Sequence, residues 1–239
     1  MKAVIVAAGM GSRLNHNVPK TLLALGNDTI LSTILRNISQ AGIRDFVIVI
    51  GYQGDDIKNY LKERNYFGNH VCFVENLKWQ QGNGISVLAA EQEVGQERFL
   101  LSMSDHIVST KAIERMIHHN SSANLLLVDP RVNNIFDLDD ATKVETQGAK
   151  IKNIGKEITD YNGIDCGIFK LTPRFFDSMR ESLKLNQESI SASVKGLIAN
   201  NDMEAVFMQP DEFWIDIDTP ESYEFALKNV KKGYESFKD

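Results

Sequence analysis

The stretch AVIVAAGMGSRLNHNVPK, Ala3 to Lys20, decides the fold. Ala3 to Ala8 is a short apolar run rich in β-branched residues that stops at Gly9, and such a run suits a strand buried on both faces. Phe46 to Ile50 repeats the pattern and stops at Gly51. Between the two runs, Leu31, Ile34, Leu35 and Ile38 recur at i, i+3, i+4 and i+7 within Thr29 to Ala41, and Gly42 follows as a stop. That spacing predicts an amphipathic helix. Strand, helix and strand in this order predict a βαβ unit, with a right-handed crossover and a parallel sheet.

The alternation continues outward from there. Gln53 to Glu63 reads as a helix, Val71 to Glu75 as a strand, Ile85 to Glu93 as a helix, and Phe99 to Ser102 as a strand. Lys111 to His119 then reads as a helix and Asn124 to Val128 as a strand. After Pro130, Thr142 to Glu145 and Lys150 to Ile154 flank Gln147-Gly148 as an antiparallel hairpin. Ile164 to Leu171 is a further strand, and helical patterns follow Pro173 and span Ile190 to Ala199. A strand near Phe213 to Ile217 leads into a C-terminal helix that starts at Thr219-Pro220-Glu221. The expectation is one α/β domain over residues 1–239, a Rossmann-like mixed, mostly parallel sheet with helices on both faces. A small antiparallel hairpin would lie over a second pocket.

Composition narrows the function classes. With 239 residues, 43% apolar, 24% charged and a formal charge of -6, the chain reads as a soluble globular protein. A chain of this size buries enough surface to form a core without metal or disulfide staples. Cys72 and Cys166, far apart in apolar surroundings, predict buried thiols in a reducing compartment and no zinc site. Neither a signal peptide nor a membrane-length apolar run is present, so the expected place is the cytoplasm, without membrane insertion. The acidic balance and the lack of a Lys/Arg-rich run exclude a general nucleic-acid binder. A small ligand remains. If it carries phosphates, an acidic protein must gather its cations at one place.

Gly9 and Gly11 let the backbone turn tightly, so that main-chain N–H groups point at phosphate oxygens. A dinucleotide fingerprint needs a third glycine near Leu14, and a Walker loop needs Gly-Lys-Ser/Thr; neither is present. What stands there is Gly-x-Gly-x-Arg followed by Pro19-Lys20, two cations on one loop of polyanion size. Further on, Leu100 to His106 ends a strand with Asp105, a carboxylate at the sheet edge where ligand crevices form. Asp216 and Asp218 in Trp214-Ile-Asp-Ile-Asp-Thr-Pro-Glu221 share one face of a strand and suit a hard cation such as Mg²⁺. Which of the two coordinates stays open. Lys143 and Lys156 come from the two arms of the predicted hairpin.

The opening loop resembles that of the nucleotidyltransferases that couple a sugar or polyol phosphate to a nucleoside triphosphate. GNGIS, MSDHIV, ATKV, IGKE, GIDCGIF and WIDIDTPESYE resemble, over roughly Met1 to Lys228, the inositol-1-phosphate cytidylyltransferases more closely than the hexose-phosphate enzymes. The stretch from Ser182 to Met208 carries the resemblance least. The resemblance implies that Ala7, Ala8, Gly9 and Gly11 wrap the nucleotide, and that Arg13 and Lys20 are the catalytic cations at the α-phosphate and the departing pyrophosphate. It further implies that Gln81, Gly82 and Asn83 contact base and ribose, and that Asp105, with Asp216 or Asp218, binds Mg²⁺. Lys143 and Lys156 would hold the acceptor phosphate, and Asp165 and Gly167 would line the polyol pocket. Cys166 stands where related motifs carry threonine.

The implied reaction joins CTP and inositol 1-phosphate into CDP-inositol and pyrophosphate, for use by a membrane-bound synthase that a chain of 239 residues leaves no room for. A phosphocholine enzyme would need an aromatic cage, and Leu138 to Gly167 holds only Tyr161. A glycosyltransferase would use Asp216-x-Asp218 but would leave the Gly9-to-Lys20 loop without a task. A non-catalytic nucleotide sensor would bind CTP and release no pyrophosphate.

Overall fold

The computed structural model describes residues 1–11, 14, 18–135 and 137–230. In chain order the elements are β1 (Lys2–Ala7), β2 (Ala24–Leu25), β3 (Asp28–Thr29), α1 (Ile30–Gln40), β4 (Asp45–Ile50), α2 (Gly54–Glu63) and β5 (His70–Glu75). Next come α3 (Asn83–Ala89), α4 (Glu91–Val94), β6 (Phe99–Met103), β7 (His106–Val108), α5 (Thr110–His118) and β8 (Asn124–Asp129). The remainder is β9 (Lys143–Gln147), β10 (Lys150–Gly155), β11 (Gly163–Leu171), α6 (Arg174–Lys184), α7 (Ile190–Ala199), β12 (Met203–Phe207), β13 (Trp214–Asp216) and α8 (Pro220–Val230).

A nine-stranded sheet runs in the order β5-β4-β1-β6-β11-β8-β12-β10-β9. β5, β4, β1 and β6 are parallel, β11 inserts antiparallel between β6 and β8, and β12 returns parallel to β8. β1 shows why the sheet is buried on both faces: Ala3, Ile5 and Ala7 join one apolar cluster, Val4, Val6 and Ala8 the other. That is the period of two expected of a strand. The first cluster is covered by α1, α2, α5 and α8, and the second by α3, α4, α6 and α7. At the start of α1, the Thr29 side chain accepts the Ser32 N–H and the Ser32 hydroxyl accepts the Thr29 N–H. This capping box fixes where the chain stops being strand and becomes helix.

The first βαβ unit and the other helices stand where the periodicity places them, the single helix expected over Ile85 to Glu93 is two, α3 and α4, and three further features differ. The hairpin β9–β10 is not a separate flap: β9 also pairs with β11 and β10 with β12, so β11, β8, β12, β10 and β9 close on themselves. β12 lies in a stretch read without a strand, because Met203–Phe207 is short and carries Glu204 outward in pairing distance of Lys150. Cys166 is buried and free, but Cys72 is half-buried, since β5 is the sheet's edge. Among the described residues no helix is long and apolar enough to cross a membrane.

Candidate functional site

The site lies at the carboxyl ends of β1 and β6, neighbours in register from Lys2↔Phe99 to Val6↔Met103. After β1, Gly11 takes φ +61, a conformation L side chains rarely adopt, and a Cβ there would stand 2.5 Å from Lys20 Cβ. Glycine at this position therefore brings the loop against Lys20. After β6, Asp105 is followed by β7, which pairs antiparallel with β13, matching Asp216 to His106. The main-chain N–H of Ile217 donates to the Asp105 carbonyl at 3.0 Å. This small ladder brings the two acidic motifs, remote in sequence, to one point.

Lys20 is 8% exposed, and its ammonium donates to Asp105 Oδ2 at 2.9 Å and to Asp218 Oδ1. Burial alone would push it down, but Asp105, Asp218 and Asp216 hold its pKa above the ordinary lysine value. Asp105 also faces burial, which favours the neutral acid; Lys20 and the 2.7 Å contact to His106 Nδ1 win and hold it well below the usual carboxylate range. Burial would likewise favour neutral His106, yet Asp216 and Asp105 raise it to about 9. The imidazole ring stacks on Trp214 with centroids 5.6 Å apart.

Asp216 is the misfit of the cluster. Burial, with Asp105 and Asp218 as like-charged neighbours, pushes it up to about 7 against the pull of His106 and Lys20. Its Oδ1 is buried without a hydrogen-bond partner, with His106 Nδ1 at 3.7 Å. Ligand atoms of Asp105, His106 and Asp216 lie within 4.8 Å of one another. An orphaned carboxylate oxygen beside a second carboxylate fits a hard divalent cation.

A cleft of about 800 Å³ opens from this cluster. Asp105, Asp216 and Asp218 line it, together with Asn83, Lys156, Asp165 and Gly167. Asp165 is pushed up to about 6 by burial, against the Gly167 N–H, which donates to its Oδ1 at 2.8 Å, and against His106. Lys156 pairs with Asp140 at 2.6 Å. Lys143 is not among the residues that line the cleft, and its ammonium donates to the Lys156 carbonyl at 2.8 Å. On its Cβ side Gly82 abuts Glu188, 2.5 Å from where a Cβ would stand. Ala7, Ala8, Gly9, Gly11, Gln81 and Lys20 stand outside the cleft lining, and Arg13 lies outside the described residues.

Several groups of the cleft escape a sequence reading. Trp214 Nε1 donates to Asp129 Oδ2 at 2.8 Å, and Arg131 holds the same carboxylate through Nε and Nη2 at 2.9 and 3.0 Å. Phe169, Phe213 and Phe225 also reach the lining, so the aromatics absent from Leu138 to Gly167 arrive from other elements. The only advance signal was the Trp214 indole beside the acidic motif.

A model of the MobA-like NTP transferase domain matches residues 3–135. The chain is 32% identical over 235 residues to the bifunctional IPC transferase and DIPP synthase of Aquifex aeolicus, with 96% of this chain and 52% of that protein covered. A protein of the same name from Archaeoglobus fulgidus is 30% identical over 221 residues, covering 92% of this chain and 42% of that one. The chain thus spans about half the length of these curated relatives. Among solved structures, the inositol-1-phosphate CTP transferase from T. maritima matches with a TM-score of 0.85 at 26% identity, covering 97% of this chain and 96% of that one.

Proposed function

The chain belongs to the MobA-like NTP transferase domain family and is a nucleotidyltransferase, and from that premise we propose that it transfers a cytidylyl group from CTP to inositol 1-phosphate. The products are CDP-inositol and pyrophosphate. The observation that carries the reading is the meeting of Lys20 with Asp105, Asp216 and Asp218 at the mouth of a cleft that continues to Lys156 and Asp165. The names of the relatives and of the solved neighbour supply the choice of base and acceptor.

An oxygen of the acceptor phosphate attacks the α-phosphorus in line. The new P–O bond forms as the bond to the β-phosphate oxygen breaks, and pyrophosphate leaves with the electron pair. A phosphate monoester is already anionic near neutral pH, so no side chain has to remove a proton, and positioning with charge neutralisation carries the step. Mg²⁺, held by Asp105 with Asp216, would supply positive charge to the triphosphate. Gly9 and Gly11 bring loop amides to the phosphates, and Lys20, with Arg13, adds charge where it builds up. Lys156 and Asp165 bind the acceptor, the ammonium on its phosphate and the carboxylate on its hydroxyls.

The combination of Trp214 and Phe213 with Asp129 and Asp165 in the cleft favours, as a second reading, a quaternary ammonium acceptor such as phosphocholine. Pyrophosphate release from each of the four nucleoside triphosphates with inositol 1-phosphate, phosphocholine and hexose 1-phosphates separates the readings. CTP with inositol 1-phosphate is the expected best pair. UTP or GTP with a hexose phosphate would refute the cytidylyl assignment, and binding without turnover on any acceptor would make the protein a sensor.

A further inference from the structure

The motif Gln81-Gly82-Asn83-Gly84 is held in place by a residue from the stretch that carries the family resemblance least. Glu188 Oε2 accepts the Gly82 N–H at 2.9 Å, and the Glu188 carbonyl accepts the Gly84 N–H at 2.9 Å. In return, Asn83 Oδ1 accepts the Ile190 N–H at 2.9 Å. The loop before α3 is thereby stitched to the first turn of α7, where the Ser189 side chain accepts the Ala192 N–H. Both glycines serve this approach. A Cβ on Gly82 would stand 2.5 Å from Glu188 Cβ and from its carbonyl oxygen, and one on Gly84 would stand 2.7 Å from that oxygen.

Two consequences follow for a ligand. The N–H groups of Gly82 and Gly84 are engaged by Glu188 and are not offered to a nucleotide. Asn83, which lines the cleft, has its carbonyl oxygen occupied, so its amide presents N–H donors. We propose that Glu188 is a positioning residue for nucleotide recognition, fixing the Gln81–Gly84 loop against α7 so that Asn83 meets the base as a donor, a role that rests on the nucleotidyl-transfer reading above. The matching ligand group is a hydrogen-bond acceptor on the base edge, such as a pyrimidine carbonyl.

Glu188→Ala and Glu188→Gln test the role in the full chain. Steady-state turnover is measured with each of the four nucleoside triphosphates at saturating acceptor, and CTP binding is measured by calorimetry without acceptor. Glu188→Ala is expected to raise the nucleotide KM and the CTP Kd about tenfold, the loss of one hydrogen bond to a charged acceptor. Both kcat and the acceptor KM stay within about twofold, because the cluster at Lys20 and Asp105 is untouched. Glu188→Gln keeps an oxygen for the Gly82 N–H and recovers most of the nucleotide affinity. An unchanged nucleotide KM in Glu188→Ala, a fall confined to kcat, or a glutamine variant as impaired as the alanine one overturns the proposal. The two readings fail separately: a native preference for another triphosphate removes the cytidylyl assignment, whereas the positioning role is decided by these variants against whichever triphosphate the native chain prefers.

Discussion

The Lys20 ammonium lies 2.9 Å from Asp105 Oδ2, across 85 positions of sequence, and the lysine is buried while the aspartate lines the cleft. The lysine extends from the loop after β1 and the aspartate closes β6, so two adjacent parallel strands deliver opposite charges to one point. With Asp218 on the same ammonium, and His106 against Asp105 and Asp216, two cations face these acids among the described residues. A divalent ion would compete with the Lys20 ammonium for these carboxylates, and a polyphosphate would compete with the carboxylates for the ammonium.

Replacing Lys20 therefore has two opposed effects. Lys20→Ala lowers kcat by on the order of 10² or more, since a charge aimed at the reacting phosphate is lost. The same change leaves Asp105 and Asp218 without their ammonium, so Mn²⁺, counted by electron paramagnetic resonance without nucleotide, binds more tightly than to the native chain. Near-normal turnover would remove Lys20 from catalysis, and weaker Mn²⁺ binding would show that it supports the metal site rather than competing with it.

Asp165 yields a stability prediction with a defined sign. Its pKa is about 6 in the folded protein against 3.8 ordinarily, because burial disfavours the carboxylate more than the Gly167 N–H and His106 favour it. The folded state thus binds the proton more tightly than the unfolded one, and the stability it contributes below pH 4 is lost as pH rises to about 6. Asp165→Asn keeps an oxygen for the Gly167 N–H and cannot ionise. Its melting temperature should exceed that of the native chain at pH 7 and match it near pH 3.5, while acceptor KM rises through the lost carboxylate. Equal melting temperatures at both pH values would show that Asp165 is not held against its charge.

Much of the architecture and part of the site were legible in the sequence, for local reasons. Ala3 to Ala8 and Leu31 to Ile38 declare strand and helix by period, and Lys20, Asp105, Asp216 and Asp218 stand beside glycines or strand ends that mark them. What stayed hidden depends on pairing between distant segments. β7 is three residues long and exists because β13 lies against it, and β12 is a strand because β8 offers it an edge. The same limit conceals Glu188, whose partners lie more than a hundred positions earlier, and the aromatics that enter the cleft from β11, β13 and α8. Gly82 illustrates the difference in kind: the sequence marks a missing side chain, and only the fold says that Glu188 fills the space.

Gly9 and Gly11 look equivalent in sequence and are not so in space. Among the described residues a Cβ on Gly9 meets nothing within 4 Å, whereas Gly11 has φ +61 and a Cβ there would collide with Lys20. Gly11→Ala is expected to cost about 1–2 kcal/mol of stability from backbone strain alone and to displace the lysine, lowering kcat. Gly9→Ala leaves the melting temperature unchanged and raises the nucleotide KM, because its methyl group intrudes only where loop amides approach phosphate. Equal stability losses in the two variants would contradict this division.

Trp214 ties the acid cluster to the far wall of the cleft, stacking on His106 and donating its indole N–H to Asp129. Trp214→Phe keeps a ring for the stack and removes the donor, leaving Asp129 to Arg131. The lost hydrogen bond to a buried carboxylate should cost about 1.5–3 kcal/mol in unfolding free energy by urea titration. Arg131, freed from a shared partner geometry, then shifts with Asp129, so acceptor KM rises while nucleotide KM holds. Trp214→Leu removes the stack as well; because His106 Nδ1 contacts Asp105 at 2.7 Å, that variant also lowers kcat. If the phenylalanine variant instead raised the nucleotide KM alone, the wall formed by Asp129, Arg131 and Trp214 would belong to the nucleotide and not to the acceptor.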